Sequence, residues 1–516
     1  MVDNSSVFFA RAGNDTSEKI FLEPRMANRH GFICGATGTG KTVTLKVLAE
    51  SFSALGVPVF LSDVKGDLSG FIVPGTAGEE MTERIRRFGI GDSFSFRSFP
   101  TAFFDVFGEK GIPLRTTVCE MGPLLLSQCL GLNQTQTDVL TVIFKIADDH
   151  GMLLCDTKDL KAMLGYVGED TSRFEMEYGR IARATLSAIV RSIVALEAEG
   201  GDRFFGEPAI DITDFFALDD KGSGYINILE CQTLINKPKL YSAFMLYLLS
   251  EIFEVLPEVG DQAKPKMVFF FDEAHLLFEN ASPALLEKIS QVVRLIRSRG
   301  VGIYFVTQSP ADIPDNVMSQ LSNKIEHALR AYTPKERRAL KAAAESFREN
   351  PAFDTAELIQ NLGTGEAVVS MLGTDGIPQE ARHAYILPPE SHMGAVTDAA
   401  RRNAFLMHPL ADKYTEGVDP ESAWELLEKR RIQMDEENKK AAEDAAKKKE
   451  AIKNEKEKGR ALKRSVKNVA SSTSGTIGRE IGKALGSSVG GSFGKTLGGN
   501  VGASIGRNII GTLFKF

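Results

Sequence analysis

An α/β fold with a mostly parallel sheet is the class this sequence predicts, and three observations predict it. Four short runs, "VPVFLSD" (57–63), "GYINIL" (224–229), "KMVFFFD" (266–272) and "GIYFVTQ" (302–308), are apolar with little alternation and end on polar residues. A strand covered on both faces reads this way, and both faces are covered chiefly in parallel sheets. Segments with helical apolar spacing separate these runs, which is the βαβ pattern. The chain has 516 residues, 43% of them hydrophobic and 25% charged, an ordinary composition with enough apolar material for a large core.

The elements follow in order. Phe32, Ile33 and Cys34 form a short strand that runs into a glycine-rich turn, and "KTVTLKVLAE" after it has helical spacing. The run at 57–63 is the next strand. From about 113 to 200 the pattern turns helical, as in "TQTDVLTVIFKIADDHG" and "RIARATLSAIVRSIVALEAEG", and predicts an all-α insertion. The strands at 224–229, 266–272 and 302–308 then complete the sheet. "EAVVSML" and "ARHAYIL" read as two further strands around a glycine-containing turn. These parts make one globular zone, residues 1–408.

Residues 409–470 are a second zone, rich in Lys, Glu and Ala. Opposite charges three or four apart predict a long solvated helix. Its heptad positions are too poor in Leu and Ile for a coiled coil. Residues 471–516 are a third. Glycine recurs every fourth residue from Gly478 to Gly506, each preceded by an apolar residue such as Ile477, Leu485 or Phe493. On a helix that spacing lays a glycine groove beside an apolar ridge, open to close approach by another backbone. Each glycine costs a helix about 1 kcal/mol relative to alanine, so the segment is not expected to be a stable helix alone in water. Lys483, Lys495 and Arg507 interrupt it and argue against a simple spanning helix. The readings left are a low-complexity tail, self-association, or docking on a membrane surface through 477–511.

Net charge is −7, which argues against a protein coated in basic surface but leaves room for a local basic patch. Cys34, Cys119, Cys129, Cys155 and Cys231 are scattered with no CxxC pair, as expected of free thiols in a reducing compartment. The N-terminus lacks the basic and apolar regions of a signal peptide, and no uncharged apolar run reaches the roughly 18 residues of a spanning helix. A cytoplasmic protein is the expectation.

The chemistry centres on the glycine turn. Gly35, Ala36, Thr37, Gly38, Thr39, Gly40, Lys41 and Thr42 match Gly-x-x-x-x-Gly-Lys-Thr. Glycines let the backbone curl until several N–H groups face anionic oxygens, and the helix that starts here aims its positive end at the same place. Lys41 is placed to reach the β and γ phosphates of ATP, and the Thr42 hydroxyl to hold Mg²⁺. "KMVFFFDEAH" supplies the other half. Asp272, at a strand's C-terminal end, is the expected Mg²⁺ partner, and Glu273 the base that polarises the attacking water. Gln308 ends another strand, where its amide can bond the γ-phosphate or the water. Arg294, Arg297 and Arg299 lie between these elements. Arg297 is the candidate for an arginine acting on a neighbouring subunit's γ-phosphate, with Arg330 as rival. Asp63, Lys65 and Asp67 belong to the same sheet edge and either line the site or form a turn. His275 and His30 have no metal-ligand companions and are expected to be structural.

Taken together, "RHGFICGATGTGKTVTLKVLAE", "FFFDEAHLLF" and "VRLIRSRGVGIYFVTQSPADIPDNVMSQLSNKIEHALRAYTPKE" resemble the HerA/FtsK class of P-loop ATPases, and within it the bacterial HerA-like family formerly of unknown function. The likeness covers nearly all of 5–390. It implies a RecA-like core, with Lys41 and Thr42 as Walker A, Asp272 and Glu273 as Walker B, and Gln308 as sensor. It also implies a homo-oligomer, usually a six-membered ring, that moves double-stranded DNA through its centre, with a nuclease as a candidate partner. Two departures stand out. Such helicases begin with a small β-barrel, which a phosphate loop at residue 35 leaves no room for, and the glycine repeat is not part of the general pattern. "DEAH" alone resembles motif II of another helicase superfamily, but no second RecA-like domain follows it. The competing expectation is an ATP-dependent switch or scaffold whose tail mediates self-association or membrane docking.

Overall fold

The structure is a computed structural model and describes residues 2–3, 6–13, 16–279 and 283–470. The glycine repeat and the membrane-docking segment lie outside the described residues. In chain order the strands are β1 (Val2–Asp3), β2 (Ser6–Ala12), β3 (Glu18–Leu22), β4 (Gly31–Cys34), β5 (Val59–Asp63), β6 (Thr101–Asp105), β7 (Ile112–Pro113), β8 (Ile226–Glu230), β9 (Met267–Phe271), β10 (Val301–Thr307), β11 (Asn323–Glu326), β12 (Glu366–Ser370) and β13 (Arg382–Ile386). They join in one sheet in the order β1-β2-β13-β12-β11-β4-β10-β9-β5-β8-β6-β7, with β3 on β2. From β7 to β11 every pairing is parallel, and from β11 outward every pairing is antiparallel.

Both faces of the parallel part are covered, as the unalternating runs predict. On β9, Met267, Phe269 and Phe271 pack into one core, and Val268 and Phe270 into the other. The second core holds the helix after the phosphate loop, α1 (Lys41–Ala54), through Leu45, Val47 and Leu48. The first is built on the predicted all-α insertion, whose helices run from Val118 to Ala198, and on Pro238–Val255, which buries nearly every side chain from Leu240 to Ile252. Truncating a buried aromatic such as Phe269 to alanine costs about 3–5 kcal/mol in sites of this kind.

The two strands expected around a glycine-containing turn are β12 and β13, paired antiparallel. The N-terminal strands β2 and β3, which the sequence did not announce, add to the same flank. The compact unit ends at Glu428, and the described residues from Lys429 onward belong to a second unit. The helix Ala423–Ala470 carries the Lys/Glu-rich stretch, its described side chains largely exposed beyond Lys429. No described helix is long and apolar enough to cross a membrane.

Candidate active site

Parallel register decides what meets at the sheet's edge. Thr307 of β10 lies level with Cys34 of β4, Phe305 with Phe271 of β9, and Ser62 of β5 with Phe271. The C-terminal ends of β4, β10, β9 and β5 therefore deliver the 35–42 loop, Gln308, Asp272–Glu273 and Asp63 to one edge. In open α/β sheets this edge is where ligands bind.

The 35–42 loop takes the shape its glycines allow. Gly35, Gly38 and Gly40 have φ of +147°, +79° and +113°. Gly35 is also required by packing, since a Cβ there would stand 2.5 Å from the Cβ of His327. Thr39 Oγ1 donates to the Ala36 carbonyl at 2.7 Å, and the Thr39 carbonyl accepts from Gly365 N at 2.9 Å. The amides of Thr37, Gly38 and Gly40 donate to no acceptor among the described residues. The loop therefore presents donors at the start of α1, as an anion cradle must. Lys41, nearly buried, turns its Nζ back onto the carbonyls of Gly35 at 2.5 Å and Ala36 at 3.0 Å. Burial lowers its pKa, against the pull of Glu273.

His327, immediately after β11, braces the loop from behind, and sequence reasoning missed it. Its Nδ1 meets the Glu366 carbonyl at 2.8 Å, so Nδ1 carries the hydrogen. Its Nε2 then accepts from the Thr44 hydroxyl at 2.8 Å. The ring is fully buried and neutral, and desolvation pushes its pKa down to about 4. The preceding carboxyl, Glu326, is buried too and is pushed up to about 8 by desolvation, against the Cys34 thiol and the charge of Lys41.

The acidic pair occupies contrasting surroundings. Asp272, almost fully buried, is pushed up to about 7, first by burial and then by the charge of Glu273. Glu273 also feels burial, but Lys65, Gln308 and His275 together hold it below the usual range. Lys65 Nζ pairs with Glu273 Oε1 at 2.7 Å, Gln308 Nε2 donates to Oε2 at 3.3 Å, and His275 Nδ1 stands 3.4 Å from Oε2. Glu273 sits at φ +47°, a left-handed position that costs a non-glycine residue about 1–3 kcal/mol. Backbone strain of that kind re-aims a side chain that a regular strand end would send elsewhere.

The 63–67 stretch both forms a turn and lines the site. Asp63 accepts from Gly66 N at 2.7 Å and Leu68 N at 3.0 Å, and the turn it ties carries Lys65 to Glu273. His275, expected to be structural, touches Glu273 instead. His30 is structural, accepting from Ile303 N at 3.0 Å under β10. Arg297 precedes β10 and so lies at the sheet edge opposite the phosphate loop, away from its own chain's site. Arg330 donates to the carbonyls of Gln360 and Leu362.

The residues present suit a hard divalent cation. Thr42 and Asp272 offer a hydroxyl and a carboxylate, and a cation beside Asp272 would offset the cost of ionising it where it is buried. Among the described residues no group of three or more His, Cys, Asp or Glu could hold a metal by itself. Such a cation must take its remaining ligands from phosphate and water, as Mg²⁺ in phosphate sites does.

The family model described as "Helicase HerA-like C-terminal" matches residues 10–515. The chain is 21% identical over 381 residues to the DNA double-strand break repair helicase HerA of Sulfolobus acidocaldarius, 69% of this chain and 65% of that protein. It is 21% identical over 351 residues to a probable helicase of Methanocaldococcus jannaschii, 67% of this chain and 60% of that one. The chain thus spans less than two thirds of the length of these curated relatives. Among solved structures it resembles VirB4 of Thermoanaerobacter pseudethanolicus at 17% identity, covering 75% of this chain and 97% of that one, with a TM-score of 0.47. It also resembles the plasmid coupling protein TrwB in complex with a non-hydrolysable ATP analogue, at 15% identity, 75% and 90% coverage and a TM-score of 0.48.

Proposed function

The chain belongs to the HerA-like C-terminal helicase family, and from that premise we propose that it is a Mg²⁺-dependent ATP hydrolase working as an oligomeric motor on double-stranded DNA. One observation carries the hydrolase reading. The phosphate loop and the Asp272–Glu273 pair stand at one sheet edge, with Gln308 between them just after β10.

In this reading the open amides of the loop bind the phosphates. Lys41 leaves the Gly35 and Ala36 carbonyls to meet the terminal phosphate oxygens. Thr42 and Asp272 would hold Mg²⁺, which when bound neutralises charge on the β and γ phosphates. Glu273 accepts the proton of a water whose oxygen bonds to the γ-phosphorus while the bond to the bridging oxygen breaks. Lys65 keeps Glu273 ionised and aimed, and Gln308 fixes the water. Arg297 reaches a γ-phosphate only in a second copy of the chain.

DNA as the object of the work is supported by family membership and by what the relatives are named for. The test is the ATPase rate of the full chain with and without duplex DNA, alongside its mass with nucleotide bound. Stimulation by duplex DNA and a nucleotide-dependent oligomer are the expected results. A rate and a nucleotide affinity that ignore DNA would leave a hydrolase without the motor.

A further inference from the structure

Hydrolysis as proposed needs Lys65 on Glu273, yet Lys65 is a long side chain that solvent reaches. Its Nζ stands 2.7 Å from Glu273 Oε1 while the side chain is 40% exposed. Holding a flexible lysine in one geometry costs side-chain entropy, and an ion pair open to water offsets little of that cost. The placement therefore depends on what fixes the Lys65 backbone.

Asp63 ties the residues that follow, through Gly66 N and Leu68 N. The Lys65 carbonyl is held from outside the turn, by Gln232 Nε2 donating at 2.7 Å. Register brings Gln232 there. β8 runs parallel to β5 with Glu230 level with Asp63, and Cys231 N donates to the Asp63 carbonyl at 2.9 Å. Two residues past each strand end, Gln232 and Lys65 meet. The turn is moulded on the amide. Gly66 has φ of +77°, and a Cβ on it would stand 2.1 Å from Gln232 Nε2.

The amide has one workable orientation. Lys110 Nζ donates to its Oε1. A lysine ammonium only donates and a backbone carbonyl only accepts, so reversing the amide would break both bonds. Gln232 is braced from behind as well. Its N donates to Glu230 Oε1 at 3.1 Å, and Arg401, largely buried, pairs with Glu230 Oε2 at 2.6 Å. Among the described residues, the hydrogen bonds of Gln232 reach neither the phosphate loop nor Glu273. Any effect it has on the base must pass through Lys65.

We propose that Gln232 is a positioning residue for ATP hydrolysis, setting the Lys65 backbone so that its ammonium stays on Glu273. The proposal rests on the hydrolase reading above and adds to it a residue that acts only through Lys65. That route caps its effect. Loss of Gln232 can lower kcat no further than loss of Lys65 itself, about tenfold.

Steady-state ATPase kinetics on the full chain test this with Gln232→Met and Gln232→Glu, each alone and combined with Lys65→Ala. Gln232→Met removes both amide bonds. Gln232→Glu keeps an acceptor for Lys110 and, when ionised, has no donor for Lys65. Circular dichroism checks that each variant folds. Each is expected to lower kcat about three- to tenfold with KM for ATP within about twofold, and to change kcat less than about twofold once Lys65 is alanine. A glutamine that only supports the fold would lower kcat by the same factor in both backgrounds, and that result overturns the proposal. Unchanged kcat in both single variants, or a rise in KM alone, overturns it too. A wild-type chain that binds ATP without hydrolysing it overturns the hydrolase reading, and the role of Gln232 falls with it.

Discussion

The phosphate loop is flanked by two regions built on opposite principles. On the β11 side it meets dry packing around a neutral ring, with His327 bonded at both nitrogens and Gly365 bonded to Thr39 and to Arg84. On the β9 side it meets charge, with Lys65, Gln308 and His275 gathered on the single carboxylate of Glu273. The first region fixes a shape. The second holds an ion whose partners must be exchanged if, as proposed, it activates a water. The difference shows where rigidity and where reactivity reside, and substitutions on each side should fail in different ways.

The largest effects belong to the charged side and should spare the fold. Glu273→Gln should lower kcat about 10²–10⁴-fold while ATP still binds, because it removes the proton acceptor, and with it the charge Lys65 pairs with, but leaves the phosphate loop intact. Lys41→Ala should abolish measurable turnover and weaken ATP binding. Steady-state kinetics and calorimetry on both variants, with circular dichroism as a control, check the separation. A Glu273→Gln protein with near-normal turnover would show that another group takes the proton.

The dry side should fail through stability. His327→Ala leaves the Glu366 carbonyl and the Thr44 hydroxyl without their partner and opens a void behind Gly35. A buried hydrogen-bonded side chain lost this way costs about 2–4 kcal/mol. Denaturant unfolding measures it, and ATP binding should weaken alongside because the loop loses its backing. Unfolding that matches wild type would mean the neighbouring packing, not His327, fixes the loop.

A smaller effect should come from Lys65, which stands between the two behaviours. It is partly exposed, and in the proposed mechanism it aims Glu273. Lys65→Ala should lower kcat about tenfold with KM within about twofold, and Lys65→Arg should restore most of the loss. A change in KM alone would move Lys65 from aiming the base to binding the substrate.

The two sides were not equally legible in the sequence. The loop, the acidic pair and Gln308 each occupy a few consecutive residues, and each lies at the end of a buried apolar run, so local pattern suffices to find them. The mostly parallel character of the sheet follows from the same runs, but the strand order does not. His327 shares no motif with Gly35, and the pair meets only because β11 lies beside β4 in register, with Asn323 level with Gly31. Lys65 was visible as a candidate, but its pairing with Glu273 depends on Asp63 tying the turn. The N-terminal strands were missed because they complete an antiparallel flank whose partner strands come at the end of the domain.

The smallest expected effect isolates the dry side by pH. His327 is held at about 4 against 6.5 when exposed. Its folded pKa is depressed, so its contribution is complete above pH 6.5 and is lost as pH falls toward 4. The whole protein will not report this cleanly. Asp63 and Asp272 are pushed up to about 7 by burial, so they act with the opposite sign, weighing against the fold above their unfolded range and relieving it as acid protonates them. The useful quantity is the gap in unfolding free energy between wild type and His327→Gln, whose amide can serve the same two partners without titrating. That gap should shift by about 1 kcal/mol against wild type between pH 6.5 and pH 5.5, since one proton bound only by the unfolded chain is worth about 1.4 kcal/mol per pH unit. A gap that stays constant over that interval would mean His327 takes up its proton inside the fold. The brace behind the phosphate loop would then be a charged group, and the contrast between the two sides would disappear.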